Sequence, residues 1–496
     1  MTNSYVKNKS YKFIENEYGI FVIHKLKTNL NFIGVIKVNG YLFWKEKLEI
    51  RKFTSNYESM LVVHKNPNES APTLKNENTF TINKTATEII ELIDGTKTYG
   101  QVVSFLSLKY SEDPISIEKK LNAFLNNVSK VYNMNIGTQE EPINVPVNLI
   151  EEQTIYPKVA SIEITNRCNV RCRHCYGDFG AVKPKVMSLD QIKSLLDDLN
   201  NIGVKLIELT GGDITVHPNL KEILLYALNL DFSQITLLTN GIALSDKVMD
   251  IIIKNKSKTF VQIDMHSLDD NYLTWFFKVP NTLHKIKNNI MKLAENDVRL
   301  RIATIVTHLN VHEVEDIAEW VHNLGIDSIG VSPVIPMGRA LGCSDLYLNE
   351  EDVKTYGEAL LKINKKYPKF VSLYEGARAE IRNCGAITSH IVIAPDGEIK
   401  MCTMHSLDDL KNSIGNVFEQ NIKDIYDEKF KYINAFFNLQ APQMDSEECK
   451  ECENKRFCST CFLRSFIKVQ EIGDKCKWFK NHVPEIIKEP LMVGQN

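Results

Sequence analysis

The first 167 residues of this 496-residue chain contain no cysteine, and the remainder holds eleven. Charge excess is also missing. The chain has 59 Lys and Arg against 62 Asp and Glu, a formal net charge of −3, and gives no reason to expect nucleic acid as the main partner. No apolar run approaches the ~20 residues that cross a bilayer. The opening "MTNSYVKNKSYKF" lacks the apolar segment of a secretory signal. These absences point to a cytoplasmic protein with no membrane partner. Disulfides are disfavoured in such a compartment, so clustered thiols there indicate metal or catalysis. Structural burial of free thiols would scatter them, whereas seven of the eleven fall between residues 384 and 476.

No internal repeat or long low-complexity tract is present. The N-terminal part reads as β-rich, with strands in "YGIFVIHKL", "FIGVIKV" and "YLFWKEKLEIRKF" and a hairpin turn at "VNGY". Three helices follow. Asn83 or Thr85 caps the first, which buries Ile89, Leu92 and Ile93 and ends at Gly95. Thr98 opens the second, with Val102, Val103 and Leu106 inward, and Leu121, Phe124 and Leu125 line the third. Strands plus three short helices resemble a winged helix–turn–helix. Pro142, Pro146 and Pro157, among acidic residues without periodicity, mark a linker.

Beyond it, strand and helix alternate. "SIEIT", "LIELT", "ITLLTN", "FVQIDM", "RLRIATIV" and "SIGVSPV" are the strand candidates. Ser188 and Gln191 form a capping box for a helix that buries Ile192, Leu195, Leu196 and Leu199 and stops at Gly203. Six βα units imply parallel strands with helices outside, as an open barrel or a doubly wound sheet, with chemistry at the carboxyl ends of the strands.

The first such end carries "EITNRCNVRCRHCYGDFG", with Cys168, Cys172 and Cys175 at C-x₃-C-x₂-C spacing. Structural zinc and a closed iron–sulfur cluster both take four ligands, so the triplet is one short. Zinc is the alternative reading of the triplet alone. With His174 before the last cysteine and Tyr176 after it, the spacing resembles the signature of the radical SAM superfamily. The resemblance implies that the three thiolates hold three irons of a 4Fe–4S cluster and that S-adenosylmethionine chelates the fourth. An electron from the cluster would then cleave the sulfonium to a 5′-deoxyadenosyl radical. "ELTGGD" at the second strand end resembles the family's Gly-Gly-Glu motif, which grips the methionine amino group. Gly211, Gly212 and Asp213 occupy it here, with Asp one methylene shorter than Glu. By position, Asn240, Asp264 and Ser267 would reach the ribose hydroxyls or the methionine carboxylate, although relatives often carry Ser-Leu-Asp where this chain has Asp264, Met265 and His266. Arg301 would point into the barrel if Ile302 points out. It and Arg339, in "PMGRA", read as SAM or substrate contacts, or as surface salt-bridge formers.

The later cysteines resemble the SPASM extension of radical SAM enzymes, which houses two auxiliary 4Fe–4S clusters. The resemblance implies that Cys449, Cys452, Cys458 and Cys476 close one cluster and that Cys384, Cys402 and Cys461 hold another with one iron open. Two residues separate Cys458 from Cys461 where three are usual, and a zinc ribbon is the alternative reading of "CKECENKRFCSTC". Cys343 lies outside the pattern and reads as a buried thiol. "VIAPDGEIKMC" predicts a hairpin with an Asp-Gly turn. The N-terminal helices are similar to the recognition domain of pyrroloquinoline-quinone biosynthesis, which binds leader peptides by strand addition. A winged helix could otherwise bind DNA, and the first 75 residues carry about twice as many basic as acidic residues, which fits either.

The predicted fold is therefore α/β, a partial (β/α)₆ radical SAM barrel with an N-terminal winged helix–turn–helix-like domain and a C-terminal cysteine-rich SPASM domain. Expected boundaries are 1–135 for recognition, 136–157 for the linker, 158–345 for the barrel, 346–383 for a connecting helical segment, 384–480 for SPASM and 481–496 for a tail. The domain order resembles the sactipeptide thioether synthases, of the kind that matures subtilosin A. It implies thioether formation in a Cys-containing precursor peptide, three 4Fe–4S clusters, S-adenosylmethionine, and reduced flavodoxin or ferredoxin as electron donor. Epimerisation, carbon–carbon crosslinking or formylglycine formation are alternatives within the class. A zinc-containing DNA-binding regulator is the alternative outside it.

Overall fold

The computed structural model describes residues 11–16, 19–24, 40–53, 58–64, 77–132, 134–152, 154, 156–177, 179–180, 184–372, 384–406 and 413–492. The chain divides into two units, Met1–Glu152 and Gln153–Asn496.

In the first unit, β1 (Tyr11–Asn16) and β2 (Gly19–His24) pair antiparallel. β3 (Tyr41–Trp44), β4 (Lys47–Phe53), β5 (Glu58–His64) and β6 (Glu77–Asn83) follow, then α1 (Lys84–Leu92), β7 (Asp94–Thr98), α2 (Tyr99–Tyr110) and α3 (Pro114–Tyr132). The three expected helices are present. The Asn83 side chain accepts from the Ala86 N–H at 2.8 Å, and Thr98 and Gln101 make a full capping box. α1 stops at Leu92, before the expected Gly95, which lies in β7 at φ +85. The expected strand "FIGVIKV" and much of its hairpin turn lie outside the described residues.

Two expectations fail here. "YLFWKEKLEIRKF" is not one strand. β3 joins β7 and β8 (Ile136–Gln139), while β4 joins β5 and β9 (Asn148–Glu152), giving sheets ordered β7-β3-β8 and β6-β5-β4-β9. The break falls where Lys45 N–H bonds the Asn135 carbonyl and Glu46 bonds Asn135, tying the corner to a partner far along the chain. Residues 136–152, read as linker, supply β8 and β9. Their prolines only punctuate two short strands, and the parallel pairing of β9 with β4 spans a hundred residues, beyond any local signal. Leu42, Trp44, Ile50, Leu61, Ile90 and Leu121 form the core, each large side chain contributing about 1.5–3 kcal/mol on burial.

The second unit is built on nine strands ordered β16-β15-β14-β13-β12-β11-β10-β17-β18. All six predicted strands are there: β10 (Val159–Thr165), β11 (Leu206–Gly211), β12 (Gln234–Thr239), β13 (Thr259–Asp264), β14 (Leu300–Val306) and β15 (Ser328–Pro333), parallel throughout. α4 (Leu189–Asn201), α5 (Leu220–Asn229), α6 (Asp246–Lys254), α7 (Asp270–Phe277), α8 (Leu283–Glu295) and α9 (Val314–Asn323) connect them. α4 has the expected Ser188–Gln191 capping box and buries the expected four residues. α10 (Glu350–Lys366) fills the connecting segment, and β16 (Val371–Ser372) adds an unexpected edge strand.

The Asp-Gly hairpin forms as β17 (His390–Ile393) and β18 (Ile399–Lys400), with Gly397 at φ +88. Unforeseen is that β17 runs parallel to β10, so the cysteine-rich region extends the barrel sheet itself. Six helices follow: α11 (Ile422–Glu428), α12 (Phe430–Asn438), α13 (Lys455–Cys458), α14 (Phe462–Ile472), α15 (Lys477–His482) and α16 (Glu485–Met492). The expected tail is α16, whose Ile487 and Leu491 join the core because an apolar stripe four residues apart faces inward. Among the described residues no helix is long and apolar enough to cross a membrane.

Candidate functional site

β10 delivers its chain into the loop of Cys168, Cys172 and Cys175, and two neighbours seize that loop. The first is the end of β11. Gly212 N–H donates to the Thr165 carbonyl and Asp213 N–H to the Arg167 carbonyl, each at 2.8 Å. A Cβ at Gly211, which sits at φ +125, would lie 2.1 Å from Thr165 O, and one at Gly212 would lie 2.0 Å from Arg167 O. Only glycine permits that approach. The close carbonyls are thus the chain's own. The second neighbour is the C-terminus of α7, whose Phe277 and Phe276 carbonyls accept from the N–H groups of Arg171 and Arg173 at 3.0 and 3.1 Å.

Asp213 is 1% exposed and both its oxygens are occupied. One accepts from Thr215 N–H (2.9 Å) and hydroxyl, the other from Thr239 Oγ1 (2.9 Å) and Asn240 N–H (2.8 Å). It orders the turn from within, and no oxygen is left over for an ammonium group. Asn240 in turn donates from Nδ2 to Asn169 Oδ1 at 2.6 Å, inside the cysteine loop. Ser267 departs furthest from expectation. It is fully buried, donates to Glu313, and accepts from Asp269 N–H at 2.9 Å.

β13 and β14 alternate as the sequence predicts. Ile302 is buried and Arg301 lies on the opposite, interior face, donating to Gln262 Oε1 at 3.1 Å and crossing Gly330 of β15. Asp264 lies two residues beyond Gln262 on that face. Burial raises its carboxyl to about 7, the nearby Asp213 charge adds, and Arg301 opposes. His174 stacks on Phe276 at 4.8 Å and meets His266 edge-on at 5.3 Å, and burial lowers its pKa to about 4. Tyr176 hydrogen-bonds Thr403, next to Cys402.

Ten of the eleven thiols form three groups by mutual electrostatic influence. Burial pushes Cys168 up to about 12 and Cys172 well above its ordinary value, and Cys175 raises both. Burial likewise raises Cys384 to about 11 and Cys402 to about 12, with Cys461 acting on each. Cys449, Cys452, Cys458 and Cys476 form the third group, burial first and then their neighbours in the set raising the pKa of Cys449, Cys458 and Cys476. Cys343 instead donates to the Arg339 carbonyl at 3.3 Å. Packed thiols that oppose one another's ionisation become stable thiolates only around positive charge, which iron supplies. No three or more His, Cys, Asp or Glu among the described residues converge tightly enough for one metal ion.

Two features take roles that the sequence did not assign them. Lys400 and Glu163 make a nearly buried ion pair at 2.6 Å, joining β18 to β10. Arg339 binds the cysteine loop, since its Nε donates to the Cys172 carbonyl at 2.8 Å. A glycine before an arginine after the sixth strand was the available hint for the latter.

Comparison with known families matches residues 162–321 to the Radical SAM superfamily, 384–454 to SPASM, an iron-sulfur cluster-binding domain, and 71–131 to coenzyme PQQ synthesis protein D. The antilisterial bacteriocin subtilosin biosynthesis protein AlbA of Bacillus subtilis (strain 168) is 27% identical over 404 residues, 81% of this chain and 88% of that one. The sporulation killing factor maturation protein SkfB of the same organism is 26% identical over 204 residues, 41% of this chain and 48% of its own. Among solved structures, Streptococcus suis SuiB bound to S-adenosylmethionine matches with a TM-score of 0.54 at 14% identity. The match covers 88% of this chain and all of that one, a likeness of fold.

Proposed function

We propose that this chain, which carries a radical SAM domain followed by an SPASM domain, installs intramolecular cysteine thioethers in a ribosomally made precursor peptide. The observation that carries the reading is the grouping of ten thiols into two sets of three and one set of four. Cys168, Cys172 and Cys175 would hold the cluster that S-adenosylmethionine completes. Cys449, Cys452, Cys458 and Cys476 would close a second. Cys384, Cys402 and Cys461 would hold a third, leaving one corner for a substrate thiol, which coordination would deprotonate.

When bound and reduced by flavodoxin or ferredoxin, the first cluster and S-adenosylmethionine supply a 5′-deoxyadenosyl radical. The chain's own residues bind and orient. Asp264 and Arg301, side by side on the interior face, would take polar groups of S-adenosylmethionine. Gly211, Gly212, Asp213 and Asn240 act one step back, by fixing the cysteine loop, and His174 and Tyr176 pack beside it.

The first unit supplies a place for a leader. β6 is an edge strand of its sheet, and a cavity of about 520 Å³ beside it is lined by Ile82 of β6, Ile89, Leu106, Ile117, Leu121 and Phe124. An extended leader would pair with that edge and seat apolar side chains in the cavity. AlbA serves subtilosin biosynthesis, and SuiB has been solved with its precursor peptide SuiA, which supports a peptide substrate.

The test is anaerobic incubation of the reconstituted, reduced full chain with S-adenosylmethionine and the Cys-containing peptide encoded beside it. The expected products are 5′-deoxyadenosine and a peptide two hydrogens lighter whose cysteine resists alkylation. The same mass loss with alkylatable cysteine would indicate a carbon–carbon crosslink instead. Absence of 5′-deoxyadenosine would overturn the enzyme reading.

A further inference from the structure

The segment after β15 makes a third hold on the cysteine loop, distinct from those of β11 and α7. Arg339 N–H donates to the Cys175 carbonyl at 2.9 Å, its Nε to the Cys172 carbonyl at 2.8 Å, and its guanidinium NH1 to the Phe179 carbonyl at 2.9 Å. Gly338, at φ +53, makes the approach possible. A Cβ there would lie 2.5 Å from the carbonyl oxygens of both Cys175 and Tyr176. Behind the contact, Ala340 is fully buried, and Cys343 Sγ and Tyr347 OH donate to the Arg339 and Ala340 carbonyls. In the sheet, β14, β13, β12 and β11 separate β15 from β10, so the contact joins the first and last of the six barrel strands directly.

The same hydrogen bonds fix the guanidinium charge against the cysteine loop, at the carbonyls of Cys172 and Phe179. One-electron reduction of a cluster held there would add negative charge, and a fixed neighbouring cation stabilises the reduced form more than the oxidised one. Arginine supplies that charge together with a fork that reaches several carbonyls at once, which an ammonium group does not.

We propose that Arg339 is a positioning residue for the cluster: its fork clasps the loop bearing Cys168, Cys172 and Cys175, and its charge raises the cluster's reduction potential. The proposal rests on those thiols being cluster ligands. The experiment is an anaerobic redox titration of the reconstituted full chain, without S-adenosylmethionine or peptide, followed by electron paramagnetic resonance and by iron and sulfide analysis. If the wild-type chain binds no iron and sulfide, the ligand reading itself fails. If it does, Arg339→Gln should move the midpoint of this cluster to a more negative potential and leave signals from the SPASM thiols in place. Arg339→Lys, which keeps the charge but not the fork, should keep the midpoint and lower cluster occupancy. Gly338→Ala, which keeps the guanidinium but forces the segment off the loop, should also lower occupancy. A wild-type midpoint in Arg339→Gln, or a Lys variant shifted as far as the Gln variant, overturns the electrostatic role. Full occupancy in Gly338→Ala overturns the clasp. If Arg339→Gln binds no cluster here, the Lys variant decides: a wild-type midpoint supports the proposal and a negative shift overturns it.

Discussion

Two aspartates at neighbouring strand ends illustrate how surroundings assign work to one residue type. Asp213 receives four hydrogen bonds from the chain; burial still raises its carboxyl above the ordinary value, and those donors oppose the rise. Asp264 has none among the described contacts, and burial leaves its carboxyl at about 7. A buried acceptor without protein donors is suited to donors brought by a ligand. Asp213→Ala should therefore act on stability. It strands several buried donors and should cost about 3 kcal/mol, seen as a lower denaturant midpoint of the second unit. Asp264→Asn should leave folding and iron content intact while weakening S-adenosylmethionine binding about tenfold, the loss of one charge-assisted hydrogen bond. Calorimetric titration of the cluster-loaded chain distinguishes the pair. Equal effects of the two variants on affinity would contradict the division of roles.

At the scale of elements, the cysteine loop is positioned chiefly by β11 and α7. Gly212→Ala makes that dependence measurable. Its Cβ would collide with the Arg167 backbone, which no side-chain rotation relieves, so the loop must shift. With the three clusters proposed above, the expected outcome is loss of about a third of the bound iron, with circular dichroism unchanged. Retention of all iron would show that the loop tolerates displacement. The elements themselves were readable because β10 is buried along nearly its whole length and β13 and β14 alternate with a period of two. The capping boxes at Ser188 and Thr98 were readable because they are local. What was not readable is non-local. β17 finds β10 over more than two hundred residues, β9 finds β4 over about a hundred, and the Ser267 hydroxyl is taken up by Glu313, 46 residues on. The resemblance carried by the cysteine pattern implied which thiols would act together. It could not disclose that Asp213 would be saturated, because its donors come from two separate stretches of chain, at Thr215 and at Thr239–Asn240.

At the scale of the whole molecule, the two units differ in what holds them together. Among the described residues the core of the first is chiefly apolar, with Thr87 also buried, and the unit contains no cysteine. The cysteine-rich end of the second is built from helices of 4 to 11 residues, lengths at which isolated helices are marginal. Phe462, Phe466, Trp478 and Phe479 pack these segments into the core of the unit, and the metal–thiolate bonds proposed above would add binding energy that is also folding energy. The β17–β18 hairpin then carries that dependence into the barrel. It pairs with β10 and sets Lys400 against Glu163, both nearly buried, so loosening Cys402 threatens to strand a buried carboxylate. Removing iron with a chelator under anaerobic conditions should therefore lower the unfolding temperature of the second unit by many degrees and leave that of the first unchanged. Differential scanning calorimetry would show this as two transitions, of which one moves. A single transition, or a first-unit transition that shifts as far as the second, would mean that the metal-dependent end stabilises more of the chain than its own unit.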